Sequence, residues 1–241
     1  MKRTIRILRL YPELLDLYGD GGNLLALQHR LEAMGHEVVC DSLELSQQKD
    51  FSAFDLIAVG AGKTRNLCAA MREFSACGPA LSAAVEQGRM VLATGSGMLL
   101  LGKGLRSGEE FVPAAGLFDY EGGETGQVAV SDCIVRMEGL TAPLYGFVNQ
   151  TVSISYAARP NLFEVLCGKT GQDGTEGMTL KNCFATSLLG PILAKNPDFC
   201  RLLLQRLLGE DFEEYDDSLA REAYRRTLNE FSVQGGSGKS S

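Results

Sequence analysis

The sequence is poor in the groups that most often do chemistry. Its 241 residues include two histidines, His29 and His36, and no tryptophan. With so few imidazoles, a histidine-rich metal centre is not expected, and no cofactor is implied. Seven cysteines are present, Cys40, Cys68, Cys77, Cys133, Cys167, Cys183 and Cys200, but none sits in a C-x-x-C spacing. An odd, scattered set suits small buried hydrophobes in a reducing compartment better than a disulfide framework or a zinc site. No run approaches the ~18 apolar residues of a membrane helix. The segment Ile5–Leu10 is broken by Arg6 and Arg9 and leads into Tyr11-Pro12, so it does not read as a signal-peptide core. A cytoplasmic protein without membrane insertion is expected. The net charge is −7 with no basic block, which argues against a nucleic-acid partner. No Walker A sequence and no G-x-G-x-x-G spacing occur, so neither a P-loop nor a dinucleotide fingerprint is present.

What remains is an ordinary globular composition, 45% hydrophobic and 22% charged, long enough for one sizeable core. The first half alternates strand and helix signals. Strands are expected at 5–8, 38–43, 55–59 and 90–93. Helices are expected around Leu24–Met34, Leu67–Phe74, Pro79–Gln87 and Met98–Leu101. Alternation of this kind predicts a mostly parallel central sheet with helices on both faces. Three Gly-rich turns follow strands, at Tyr18–Asn23, Gly60–Gly62 and Thr94–Gly97. Sites in such sheets form at the carboxyl ends of strands, so these turns are the first candidates. From Val128 to Thr186 the pattern changes to short strands, at 128–135, 144–148, 152–156, 163–166 and 183–186. Gly168–Gly177 reads as a polar loop or hairpin. Helices then follow at Pro197–Leu208 and Ser218–Phe231, the latter with Asp216, Asp217 and Ser218 as capping candidates. The expected organisation is a domain over 1–210, a helical extension over 211–234 and a flexible tail over 235–241 that reads as a non-native addition.

Gly60-Ala61-Gly62 can present backbone N–H groups to an anion or a developing oxyanion; the plainer reading is a tight strand-to-helix turn. Ala93-Thr94-Gly95-Ser96-Gly97 has the form of a nucleophile elbow, which needs small residues two before and two after its apex. Ala93 and Gly97 meet that need around Gly95, and glycine has no nucleophilic atom. Centring on Ser96 instead puts Met98 where a small residue is required. Ser96 also lacks a base singled out by spacing, so a helix-start role suits it better.

These residues resemble a known family. Tyr18-Gly19-Asp20-Gly21-Gly22-Asn23 with Leu27 and Arg30, Val59–Gly62, Leu92–Gly102, Gly146–Asn149 and Gly190–Pro197 together resemble the class I glutamine amidotransferases of the cobyric acid synthase type. Within that family they look most like the glutaminase subunits of lipid II isoglutaminyl synthases. The resemblance implies a flavodoxin-like α/β fold. It also implies a Mur-ligase-like ATP-dependent synthetase as partner, which receives ammonia and amidates the peptidoglycan precursor. The departures fall on the chemistry. By resemblance, Gly95 stands at the position of the nucleophilic cysteine and Leu189 at that of the catalytic histidine. Leu99 replaces a glutamine of the elbow helix, Gln150 a histidine after the Phe-x-Asn motif that ends at Asn149, and Gln127 a substrate-holding arginine. A thiolate and its base are both needed for amide hydrolysis, so a fold that has lost glutaminase chemistry is expected. A working hydrolase with relocated residues and a small-molecule-binding module on the same fold are the alternatives. Tyr18, Asp20, Gly22 and Asn23 form the signature loop. Gly60, Ala61, Gly62 and Ser96 form the oxyanion-type loop, and Leu99, Gln127, Asn149 and Gln150 are the pocket candidates.

Overall fold

The computed structural model describes residues 2–236. In chain order the strands are β1 (Thr4–Leu10), β2 (Glu37–Leu43), β3 (Leu56–Val59), β4 (Met90–Thr94), β5 (Gly104–Ser107), β6 (Glu110–Pro113), β7 (Tyr120–Arg136), β8 (Leu144–Tyr156), β9 (Phe163–Cys167), β10 (Thr175–Glu176), β11 (Met178–Leu180) and β12 (Cys183–Thr186). The helices are α1 (Gly21–Ala33), α2 (Thr64–Phe74), α3 (Gly78–Glu86), α4 (Ile192–Lys195), α5 (Pro197–Leu208) and α6 (Ser218–Gly236).

The first sheet runs β2-β1-β3-β4-β12-β11. All of its pairings are parallel except β11 with β12. Counted along the parallel strands, this is a doubly wound order whose switch point lies between β1 and β3, where ligand crevices form. Side-chain alternation on β1 shows why the sheet is covered on both sides. Ile5 and Ile7 pack with Leu24, Leu27 and Leu31 of α1 and with Phe199 and Leu203 of α5. Leu8 and Leu10 face the other way, onto Leu67, Met71 and Phe74 of α2 and Leu81 and Val85 of α3. Each such side chain, removed from water, contributes about 1.5–3 kcal/mol.

The second sheet runs β10-β9-β7-β5-β6, with β8 on the free side of β7. It lends Tyr120 and Val152 to one core and Val135 and Val148 to the other, so it is built into the same body as the first sheet. Several expectations change here. The two short strands at 144–148 and 152–156 are one strand, β8. Strand β7 begins eight residues before 128, and β5 and β6 were not anticipated. Gly122, Gly123 and Gly126, among Glu121 and Glu124, hide the start of β7 because glycine and glutamate are depleted in strands. The stretch after β4 is a 3₁₀ helix over Gly95–Leu101 and not an α-helix. Three cysteines depart from the buried-hydrophobe reading: Cys40 and Cys167 are exposed, and Cys77 is half-buried.

The last helix reaches Gly236, so Gly235 and Gly236 are helical where a tail was expected. The rest of that tail, 237–241, lies outside the described residues. The Asp216 carboxylate accepts from Ser218 N–H at 2.9 Å, which caps α6. The extension docks on the rest of the chain: Tyr224 Oη donates to the Pro143 carbonyl, the Phe231 ring lies 4.7 Å from that of Tyr145, and Arg221 bridges Asp198 and Asp217.

Candidate functional site

The turns after β1, β3 and β4 meet at the carboxyl ends of the strands, and the side chain that gathers them is Asp20. It is buried. Its Oδ2 accepts from Ala61 N–H at 2.9 Å, and its Oδ1 accepts from Thr94 Oγ1 at 2.6 Å and from Gly190 N–H at 3.2 Å. One carboxylate therefore ties the loop after β3, the end of β4 and the segment after Leu189. Asn23, one turn further along α1, accepts from Leu193 N–H at 2.9 Å. Asn196 continues the lacing, exchanging bonds with both backbone groups of Tyr145 at 2.8 Å. The signature loop thus works as a set of clamps between distant segments of chain.

Gly95 stands at the apex of the turn after β4 with φ +56°, a conformation that costs a side-chain-bearing residue about 1–2 kcal/mol. A Cβ placed there would lie 2.5 Å from Leu189 Cδ2 and 2.8 Å from Ala61 Cβ. The sharp elbow is formed, but a leucine fills the space above it. Leu189 is buried and fixed by its N–H, which donates to the Phe147 carbonyl at 2.8 Å; the Gly95 N–H donates to the Leu188 carbonyl at 3.0 Å. Gly97 is required for a different reason, because a Cβ there would run into the Gly60 carbonyl oxygen.

The oxyanion-type loop has given away two of its donors. Ala61 N–H goes to Asp20, and Gly62 N–H goes to Ser96 Oγ at 3.0 Å, while Ser96 Oγ donates back to the Gly62 carbonyl at 3.0 Å. Ser96 lies inside the 3₁₀ turn and not at its cap, with its hydroxyl proton committed to backbone. Neither histidine is near. His29 is exposed on α1, and buried His36 accepts from Arg3 N–H at 3.4 Å near the amino end of β1.

Beside this packed centre lies a cleft of about 400 Å³. Tyr18, Gly62, Ser96, Asn149 and Gln150 border it, so five of the expected site residues come together there. Gly95, Leu189, Leu99 and Gln127 do not border it. Leu99 is fully buried in the core, and Gln127 is exposed on β7. Asp20, Gly60 and Asn23 instead border a small void of about 20 Å³ at the β1–β3 switch point, room for a single water. The sequence reading missed Lys63, Thr64 and Thr151 in the cleft wall. The first two directly follow the Gly60–Gly62 turn, which was the available signal. It also missed Glu176, which is fully buried and accepts from Thr186 Oγ1 at 2.7 Å and Ser187 N–H at 2.6 Å. Burial raises its carboxyl above the ordinary carboxylate range, against the lowering effect of these bonds. Among the described residues, no cluster of three His, Cys, Asp or Glu could hold a metal ion.

The chain is 26% identical over 230 residues to the GatD subunit of the glutamine-hydrolyzing lipid II isoglutaminyl synthase of Streptococcus pneumoniae, covering 90% of this chain and 88% of that one. It is 27% identical over 206 residues to the same subunit from Staphylococcus aureus, covering 84% of each. The protein is glutamine amidotransferase-like, a distant relative of GatD. No family model matches it. A crystal structure of a glutamine amidotransferase superposes with a TM-score of 0.55 at 16% identity, over 83% of this chain and 98% of that one, and so shares the fold. The chain therefore has an amidotransferase-type α/β scaffold, and the turn after β4 carries no thiol at Gly95. No helix of the described residues is long and apolar enough to cross a membrane.

Proposed function

We propose that this protein is a GatD-like subunit that has lost glutaminase chemistry. It acts as a scaffold or regulatory subunit of a Mur-ligase-like ATP-dependent synthetase. The observation that carries the reading is the contact of Leu189 with Gly95. With Gly95 at the nucleophile position and Leu189 at the histidine position, neither a thiol nor an imidazole is present to attack an amide. The leucine side chain also occupies the volume a nucleophile's Cβ would need. Loss of either member of such a pair removes most of the rate, so the second loss costs function little more. The clamps made by Asp20, Asn23 and Asn196 serve shape and not chemistry, which accounts for a signature loop that outlasts the reaction. In this reading residues 1–210 form the amidotransferase-like domain, and 211–234 form an extension that closes over α4 and α5.

The test is co-expression with a Mur-ligase-like synthetase from the same genome. The reading expects a stable stoichiometric complex whose amidation runs on ammonium and not on glutamine. Glutamine-dependent amidation by the complex, or no complex at all, contradicts it. A second reading, a small-molecule-binding module, is favoured by the cleft of about 400 Å³ lined by Tyr18, Asn149 and Gln150. Its size lies in the range of ligand sites.

A further inference from the structure

A second cleft, of about 430 Å³, opens on the other side of Gln150. Its walls come from β7, β8, the turn at 168–171 and Ser187, and neither Gly95 nor Leu189 borders it. Its volume lies within the ~300–1,000 Å³ typical of small-molecule sites.

Charge is the first clue to an occupant. In a chain of net charge −7, no carboxylate lines this cleft. The charged lining residue is Lys169, which makes no ion pair among the described residues. Its backbone N–H donates to Ser131 Oγ at 2.9 Å, which fixes the root of the side chain.

Hydrogen-bonding capacity is the second clue. The Thr125 hydroxyl donates to the Gln127 carbonyl at 2.8 Å, and that of Ser153 to the Gly123 carbonyl at 3.3 Å. The hydroxyls of Thr170 and Ser187 bond each other at 2.9 Å, and Glu176 holds Ser187 from behind through its N–H. The protons of Thr125 and Ser153 are spent within the protein, while the Thr170–Ser187 pair uses one of its two, so the lining hydroxyls offer lone pairs and keep a donor of their own. Gln150 adds an unused acceptor, since its Oε1 is buried without a partner. Buried polar atoms are nearly always paired, and an unpaired one is met by a bound group, an ordered water or local strain.

The third clue is backbone shape. The β7–β8 register breaks between Glu124 and Ala129, so residues 125–128 bulge out between the two clefts. Bulges gather beside binding sites, where they re-aim side chains.

We propose that this cleft binds a small polyhydroxy anion of the sugar phosphate or sugar acid class. Ligand hydroxyls donate to the lining lone pairs and to Gln150, and the anionic group pairs with Lys169. A hydroxyl both donates and accepts, so it satisfies the Gln150 amide whichever way the amide is turned. The site does not depend on whether glutaminase chemistry has been lost.

Calorimetric titration of the full chain tests this with four probes: glucose 6-phosphate, gluconate, glucose and inorganic phosphate. At least one of the two polyhydroxy anions binds saturably below about 1 mM, and glucose and phosphate, each lacking one half of the pattern, bind about tenfold more weakly or not at all. Binding of glucose 6-phosphate alone assigns a phosphate anchor, and binding of gluconate alone a carboxylate anchor. Lys169→Ala, at an exposed position, weakens the bound anion about tenfold. Gln150→Leu keeps the side-chain bulk but removes the acceptor, and weakens it by a similar factor. Three results overturn the proposal. They are no saturable heat from either anion up to about 10 mM, equal affinity in the Lys169→Ala protein, and phosphate binding as tightly as glucose 6-phosphate. If Gln150→Leu fails to fold, the probe series and the Lys169 variant decide the matter.

Discussion

The filled elbow makes a quantitative prediction about two substitutions and their combination. Gly95→Ala forces a side-chain-bearing residue to φ +56°, which costs about 1–2 kcal/mol. It also drives a methyl to 2.5 Å from Leu189 Cδ2 and 2.8 Å from Ala61 Cβ, overpacking worth about 1–3 kcal/mol. The single variant should therefore lose about 2–5 kcal/mol. Leu189→Ala deletes a buried side chain and should lose about 2–5 kcal/mol by cavity formation. In the double variant the new methyl occupies part of the vacated space. The overpacking against Leu189 then disappears, while the approach to Ala61 Cβ and the backbone cost stay, so the double variant should be more stable than the sum by about 1–2 kcal/mol. Urea unfolding followed by far-ultraviolet circular dichroism suits the assay, because the chain has no tryptophan to report by fluorescence. Additivity within about 0.5 kcal/mol would refute the contact on which the argument rests.

Other outcomes follow from the same geometry. Asp20→Ala strands Ala61 N–H, Thr94 Oγ1 and Gly190 N–H, and should cost about 3–5 kcal/mol, with Asp20→Asn milder because it keeps one acceptor oxygen; equal loss in the two variants would count against the clamp. Burial raises the Glu176 carboxyl in the folded state, so its contribution to stability is greatest below the ordinary carboxylate value of 4.5 and is lost as pH rises toward the raised folded value. The urea midpoint of Glu176→Gln should accordingly fall less between acid and neutral pH than that of the unsubstituted protein, and parallel pH profiles would dismiss the idea. A thiol reagent should modify exposed Cys167 rapidly in the native state, exposed Cys40 more slowly because partial burial raises its thiol, and the buried thiols only on unfolding, since burial pushes Cys200 up to about 12 and raises Cys133 and Cys183 as well. Rapid reaction of Cys183 or Cys200 is the outcome that does not fit.

The parallel half of the fold was readable because its signals were local. Apolar runs at 55–59 and 90–93 and the periodic leucines after Asn23 announce buried strands and a covering helix, and β3, β4 and α1 stand where they point. The second sheet was less readable. The half of strand β7 from Val128 onward was expected, but its start crosses Gly122, Gly123, Gly126 and a bulge, so neither alternation nor an apolar run marks residues 120–127. At the site, the three Gly-rich turns stood out in sequence, but their partners did not. Asp20 and Gly190 are 170 residues apart, and nothing local says that one caps the other. Ser96 read as a helix start because serine favours caps; in the fold its oxygen accepts from the Gly62 N–H of a distant loop instead of from the helix that follows. Glu176 was invisible for a similar reason, since its partners Thr186 and Ser187 reach it only through sheet pairing.

Glutamine itself is the most direct probe of the central claim. The full chain, alone and together with the proposed Mur-ligase-like synthetase, should be incubated with L-glutamine while ammonia is measured. A parallel sample should be treated with an electrophilic glutamine analogue and weighed intact. The account predicts ammonia at the uncatalysed rate and an unchanged mass, because the elbow carries no thiol and Leu189 fills the space over Gly95. Glutamine turnover above that rate, or one analogue added per chain, would contradict it.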